Sequence, residues 1–233
     1  MYKSRPLAGF FILGMYLHCM SVAELWQQFT TGLQQTTLLE YIGVCAGIIS
    51  VLFQRKAHIL VYPIGLINTC IYVYISIKGS LFGEASVNLY YTVMSIYGWI
   101  LWAKKDAHDK PALQVTYSDK KEWIIQLVFF AVFYIAIYSA LTFLKNAFYS
   151  NTVPWADAFA SASAYTGMWL LAKKKVESWY WWIVTNVASI PLYFIKGYVF
   201  TSFQYIVLLV LAFMGLVSWM KKVHDEKLQA SAT

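Results

Sequence analysis

Residues 177–222 read ESWYWWIVTNVASIPLYFIKGYVFTSFQYIVLLVLAFMGLVSWMKK. Two apolar runs are separated by Lys196-Gly197 and closed by Lys221-Lys222. An α-helix needs about 20 mainly apolar residues to cross a bilayer, so the stretch predicts two spans, 177–195 and 200–220. Six further runs extend the pattern toward the N-terminus: 8–27, 38–55, 59–77, 81–103, 122–144 and 155–172. The first contains His18 and Glu24 and reads as a retained helix rather than a cleaved signal peptide. The sixth is rich in Ala and Ser, which suits close helix packing.

Composition points the same way. The 233 residues are 60% hydrophobic and only 12% charged, against about 25% charged in a soluble domain. The formal charge of +7 lies in short clusters between the apolar runs. With eight spans, fifteen of the 18 Lys and Arg fall on one face, from Lys3 and Arg5 to Lys221, Lys222 and Lys227. The other face has only Lys78, Lys145 and Lys196. Positive-inside topology then puts both termini in the cytoplasm. Nucleic acid is excluded as a partner, because the basic residues write topology rather than a binding patch. Cys19, Cys45 and Cys70 all sit in apolar runs without metal-ligand spacing, so no disulfide framework, metal or cofactor is expected.

The chain repeats internally. Asn68, Lys78 and Gly79 recur as Asn186, Lys196 and Gly197; Gly98, Trp102, Lys104 and Lys105 recur as Gly215, Trp219, Lys221 and Lys222. Glu40 and Asp157 open the two blocks, 38–103 and 155–220. Each block holds three spans, and span 122–144 between them restores the orientation. The fold class is therefore an all-α integral membrane protein of eight transmembrane helices: an extra first helix, then 3+1+3 with parallel repeats, in one transmembrane domain. Such repeats characterise transporters, with the site near mid-membrane at the repeat interface.

Polar residues at that depth must face protein or water. Trp179, Trp182 and Asn186 lie at i, i+3 and i+7 on one helical face, suiting a flat ring that carries a hydrogen-bonding group. Asn88 and Tyr91 share a face of the fourth span. Gln204 and Tyr205 lie in the eighth, where Tyr205 is the repeat equivalent of Asn88. Asn68 suits either the site or a hydrogen bond between helices. Pro63 and Pro191 are expected to interrupt spans 3 and 7 as kinks or hinges. No Asp, Glu, Lys or Arg occupies the centre of a span, which favours a facilitator over a gradient-driven carrier. The acids Glu40, Glu84 and Asp157 sit near the outer ends, where they could draw in a cationic solute. A membrane enzyme needs a catalytic constellation, and the scattered histidines supply none. A sugar facilitator and a non-transporting membrane protein stay open.

At Trp179-x-x-Trp182-x-x-x-Asn186, Asn88-x-x-Tyr91, SIYGWILWAK (95–104) and SIPLYFIKGYVFTSFQY (189–205), the sequence resembles the PnuC vitamin transporters over about residues 38–222. The known member type carries nicotinamide riboside. The resemblance implies a SWEET-like fold with an added first helix, in the bacterial inner membrane. It implies facilitated diffusion of a small vitamin, trapping by a cytoplasmic kinase, and a homotrimer. It also implies substrate contacts at Trp179, Trp182, Asn186, Asn88 and Tyr91, with Gln204 at a commonly polar position. Relatives carry thiamine, riboflavin or deoxynucleosides, and thiamine is the alternative cargo. Two amides suit a carboxamide and a ribose, which tips the reading toward nicotinamide riboside.

Overall fold

In the computed structural model the described residues are 22–78, 82–105, 111–148 and 153–231. Among them are eight α-helices: α1 (Val22–Gln35), α2 (Leu38–Arg55), α3 (Val61–Lys78), α4 (Phe82–Ala103), α5 (Lys120–Phe148), α6 (Pro154–Ala172), α7 (Glu177–Ile195) and α8 (Val199–Ser231). Most of the expected first span lies outside the described residues, and α1 runs on to Gln35 rather than stopping at 27. Helix α5 starts at Lys120 because Asp119 and Glu122 cap each other's backbone N–H groups at 2.7 and 3.0 Å. Helix α8 outlasts its apolar part by a turn or more, since its Lys, Glu and Gln residues are good helix formers. Pro63 interrupts nothing. Helix α3 begins at Val61, so the proline lies in the first turn, where no helical hydrogen bond is lost. Pro191 does lie inside α7.

Four of these helices are long and apolar enough to cross a membrane: α2, α3, α5 and α8. Helices α4, α6 and α7 carry more polar and small residues, and α6 and α7 bury many of them. Helix α5 turns Ile124, Val128, Val132 and Ile135 outward, each more than half exposed. An apolar face of that extent belongs against lipid.

Helix α3 packs between α2 and α4, and α7 packs between α6 and α8. Two seams, α4 on α6 and α2 on α8, close these trios into a ring of six helices. Helix α5 packs on α6, and α1 packs on α8 through Phe29, whose ring lies 5.6 Å from Phe200 and 5.4 Å from Phe203.

The turns α2–α3 and α6–α7 have the same backbone. Ala57 and Lys174 both take φ +52°. The bonds Ala57 N–H to Gln54 O and His58 N–H to Phe53 O (2.9 and 3.0 Å) match Lys174 N–H to Leu171 O and Lys175 N–H to Leu170 O (2.9 and 3.0 Å). Beside each turn an aromatic ring fills a glycine notch: Tyr62 against Gly98, and Trp179 against Gly215. Each ring meets an indole edge-on, Tyr62 with Trp102 at 5.0 Å and Trp179 with Trp219 at 5.7 Å.

Only the second turn is strapped. The α4–α5 linker lies along it, with Thr116 N–H on Lys174 O (3.2 Å) and Val176 N–H on Thr116 O (3.0 Å). The Lys174 ammonium donates to Leu113 O at 2.7 Å and lies 4.5 Å over the Trp102 ring. Burial first, and then the nearby Lys222, lower its pKa to about 8 against a counter-pull from Glu226, which leaves it mostly charged at neutral pH. The buried Glu177 carboxylate accepts Ser118 N–H and O–H, both at 2.9 Å. Gln126 links Ser118 to the Trp181 indole at 2.7 and 3.2 Å.

A β-carbon at Gly98 would overlap the Tyr62 ring, and one at Gly215 the Trp179 ring. Gly98→Ala and Gly215→Ala are each expected to destabilise the protein by roughly 1–3 kcal/mol through overpacking. The check is a lowered melting temperature of purified protein in detergent.

Candidate functional site

The six ring helices enclose a cavity of about 1290 Å³, with Ile137, Ala140 and Leu141 of α5 adding to its wall. Small-molecule pockets typically measure about 300–1,000 Å³, so a vitamin-sized ligand fits with room for water. One end is rimmed by Glu40, Glu84, Asp157 and Lys196; the other closes at Gln54, Tyr62 and Trp179, beside the two turns. All six residues singled out from the sequence, Trp179, Trp182, Asn186, Asn88, Tyr91 and Gln204, line this one cavity, as does Tyr205.

The local chemistry separates their roles. The Trp182 indole N–H is buried and has no hydrogen-bond partner among the described residues. Its ring lies 6.2 Å from that of Tyr91 and covers Gly167 of α6, where a β-carbon would come within 3.3 Å. A buried donor without a partner costs about 1–3 kcal/mol, and a ligand acceptor would relieve that. Asn88 donates from Nδ2 to Glu84 O at 2.9 Å, which leaves its Oδ1 to accept. The Asn186 side chain is 4% exposed and makes no hydrogen bond among the described residues. Trp179 sits lower, 1% exposed, at the closed end.

Asn68, the sequence equivalent of Asn186, lines the same cavity but is committed to packing. Its Nδ2 donates to Gly43 O at 2.7 Å and holds α3 against α2. Sequence reasoning missed Tyr165 of α6, which lines the cavity between Tyr91 (6.3 Å) and Tyr90. Tyr90 stacks on it at 4.1 Å and donates its hydroxyl to Tyr165 O at 3.0 Å. A lone tyrosine in an Ala/Ser helix was the available signal. At the rim, Asp157 is neutralised by Lys196 at 2.5 Å and also accepts Val153 N–H. Glu40 forms a capping box with Thr37. Glu40 and Glu84 are the rim acids without an ion pair among the described residues. The pull on a cation expected of three acids therefore falls mainly to two.

A ring of helices around a mainly apolar cavity with a few polar groups, and with apolar side chains outward, defines a multi-helix membrane protein built to hold a small molecule within the bilayer. Residues 37–221 match the family model described as nicotinamide mononucleotide transporter, and the chain belongs to that family. The resemblance to the PnuC transporters is thereby borne out. The chain is 21% identical over 207 residues to the nicotinamide riboside transporter PnuC of Escherichia coli, covering 80% of this chain and 87% of that one. It is 22% identical over 184 residues to the riboflavin/roseoflavin transporter RibM of Streptomyces davaonensis, covering 77% and 83%. A crystal structure of the vitamin B3 transporter PnuC shares the fold, with a TM-score of 0.67 at 20% identity over 96% of this chain and 95% of that one.

The two asparagines give opposite expectations. Asn68→Ala removes the side-chain bond to the Gly43 carbonyl, which keeps its helical partner, and should lower the melting temperature, at a cost of about 0.5–1.5 kcal/mol. Asn186→Ala removes an amide with no hydrogen bond among the described residues and should leave the melting temperature nearly unchanged. Thermal unfolding of the two variants in detergent checks both.

Proposed function

We propose that this protein carries nicotinamide riboside across the bacterial inner membrane by facilitated diffusion, and that a cytoplasmic kinase traps the cargo by phosphorylation. The observation that carries the reading is the buried, unpartnered Trp182 N–H beside the uncommitted Asn186 amide, in a cavity of a chain from this transporter family. Trp182, Tyr91 and Tyr165 offer aromatic faces to a flat ring, and a cationic pyridinium over an indole gains about 0.5–2 kcal/mol. The Trp182 N–H and the Asn186 amide suit a carboxamide, and Asn88 Oδ1 accepts from a hydroxyl. Gln204 contacts the polar part of the cargo, and Trp179 bounds the site below.

The charges select within the family. Among the described residues the charged groups of the lining are Glu40, Glu84, Asp157 and Lys196, all at the rim. A phosphate dianion would enter without a counter-charge, so the riboside fits and the mononucleotide does not. Thiamine is the second reading, because its cationic ring meets the same aromatic faces.

The topology belongs to the proposal as well. It comprises eight spans as 1+(3+1+3), both termini cytoplasmic, and two parallel repeats that rock about the cavity. The matching turns at Ala57 and Lys174 and the paired glycine notches support the repeat. The protein acts as a homotrimer and a carrier without catalytic residues, metal or cofactor.

Purified protein titrated by tryptophan fluorescence should bind nicotinamide riboside and bind its mononucleotide at least tenfold more weakly. Trp182→Phe, which loses the N–H and part of the aromatic face, should weaken binding at least twofold, and Trp182→Ala by more. Uptake into liposomes should proceed without a proton or sodium gradient. Preference for thiamine would move the cargo and keep the site. Unchanged affinity in Trp182→Ala would overturn the site, and gradient dependence would overturn the facilitator reading.

A further inference from the structure

The two seams of the ring carry a matched pair of hydrogen bonds. Trp102 at the end of α4 donates its indole N–H to Ala172 O at the end of α6, at 3.1 Å. Trp219 of α8 donates to Gln54 O at the end of α2, at 2.9 Å. Each indole thus reaches from one helix trio to the last carbonyls of the first helix in the other. Both bonds lie beside the aromatic rings that close the cavity, and both must break if that end parts along its own seam.

The seams differ in everything else. Along α4–α6, Tyr90 stacks on Tyr165 and bonds its carbonyl, and Lys174 sits over the Trp102 ring. The α4–α5 linker leaves the end of α4 and is pinned across the α6–α7 turn by backbone bonds and by the Ser118–Glu177 pair. Along α2–α8, the bond from Trp219 is joined by one from Ser218 Oγ to Arg55 O, at 3.2 Å. No linker crosses the turn end of that seam among the described residues; α1 bridges α2 and α8 only at the rim end, through Phe29 against Phe200 and Phe203. The buried amide nitrogen of Gln54 has no partner there, so opening would hydrate a group that the closed form leaves unsatisfied.

We infer that the cytoplasmic end of the cavity opens on one side only: α2 parts from α8 as the Trp219–Gln54 bond releases, while α4–α6, held by Trp102–Ala172 and the linker strap, is the hinge. This rests on the carrier reading and its cytoplasmic placement of the turns. Trp219 and Trp102 are then positioning residues of opposite kind, a latch and a hinge pin. The repeat in the sequence gives no reason to expect them to differ.

The test places a cysteine at Ala212, which is 2% exposed and lines the cavity toward the closed end. The background is a full-length protein with Cys19, Cys45 and Cys70 replaced by Ser and retaining nicotinamide riboside binding. Labelling by a membrane-impermeant thiol reagent is followed from the cytoplasmic face of oriented vesicles. Trp219→Phe should raise the labelling rate at least twofold, through the lost hydrogen bond and the smaller ring, and Trp102→Phe should change it by less than twofold. Ser218→Ala should move it in the same direction as Trp219→Phe and keeps the test available if the indole variant does not fold. Equal acceleration by Trp102→Phe and Trp219→Phe, or acceleration by Trp102→Phe alone, would overturn the one-sided opening. Riboside binding by the same preparations separates the two claims. Retained binding with symmetric labelling refutes the hinge alone, whereas absent binding in the unsubstituted protein refutes the carrier reading.

Discussion

Hydrocarbon supplies no hydrogen-bond partner, so each polar group at membrane depth must be satisfied inside the protein or face an internal space. The rest of the structure follows from that constraint. It explains why helices α4, α6 and α7 can be less apolar than α2, α3, α5 and α8: their amides, hydroxyls and phenols turn toward the ring interior. It explains the hydroxyls that bond back along their own helices, such as Thr166 to Ala162 O at 2.8 Å and Thr185 to Trp181 O at 2.9 Å. Groups that escape the constraint become informative. The Trp179 and Trp182 N–H groups have no hydrogen-bond partner among the described residues and line the cavity, which is where a carrier would spend its unsatisfied polarity on a ligand.

Duplication supplies the second theme. The two turns share a left-handed residue, a hydrogen-bond pattern and a ring seated in a glycine notch. Each block alone would leave one side of its three-helix sheet without a partner, and joining two across α4–α6 and α2–α8 closes the ring. Function then sits in the departures from symmetry. Asn68 is committed to Gly43 O while Asn186 is free. Ala57 occupies its turn alone, while Lys174, at the same φ, reaches Leu113 O and the Trp102 ring. Identical backbones can therefore bear different mechanical loads, because the side chain and the neighbouring linker decide the load.

The cavity's electrostatics narrow the family's chemistry. A lining with a single lysine, itself paired to Asp157 at the rim, receives neutral or cationic rings more readily than phosphates. Specificity would then arise from an absence of cations as much as from the aromatic faces, since a buried phosphate without a counter-charge is heavily penalised.

By itself the sequence determined the helical segments from α2 to α8 and the polar positions worth attention, because hydropathy, charge clusters and helical spacing are local properties of the chain. Trp179, Trp182, Asn186, Asn88, Tyr91 and Gln204 could be picked out since each is costly in lipid unless it faces inward. Only the tertiary structure decided which of them remain available. Asn68 and Asn186 look alike in one dimension and differ because Gly43 O accepts from the Asn68 amide, whereas the Asn186 amide makes no hydrogen bond among the described residues. Pro63 looked like a helix interruption until the start of α3 put it in a first turn. Tyr165, the pairing of Asp157 with Lys196 and the cross-seam bonds of Trp102 and Trp219 all join residues far apart in the chain. Such contacts depend on which helix faces which, and periodicity along a single helix carries no record of that.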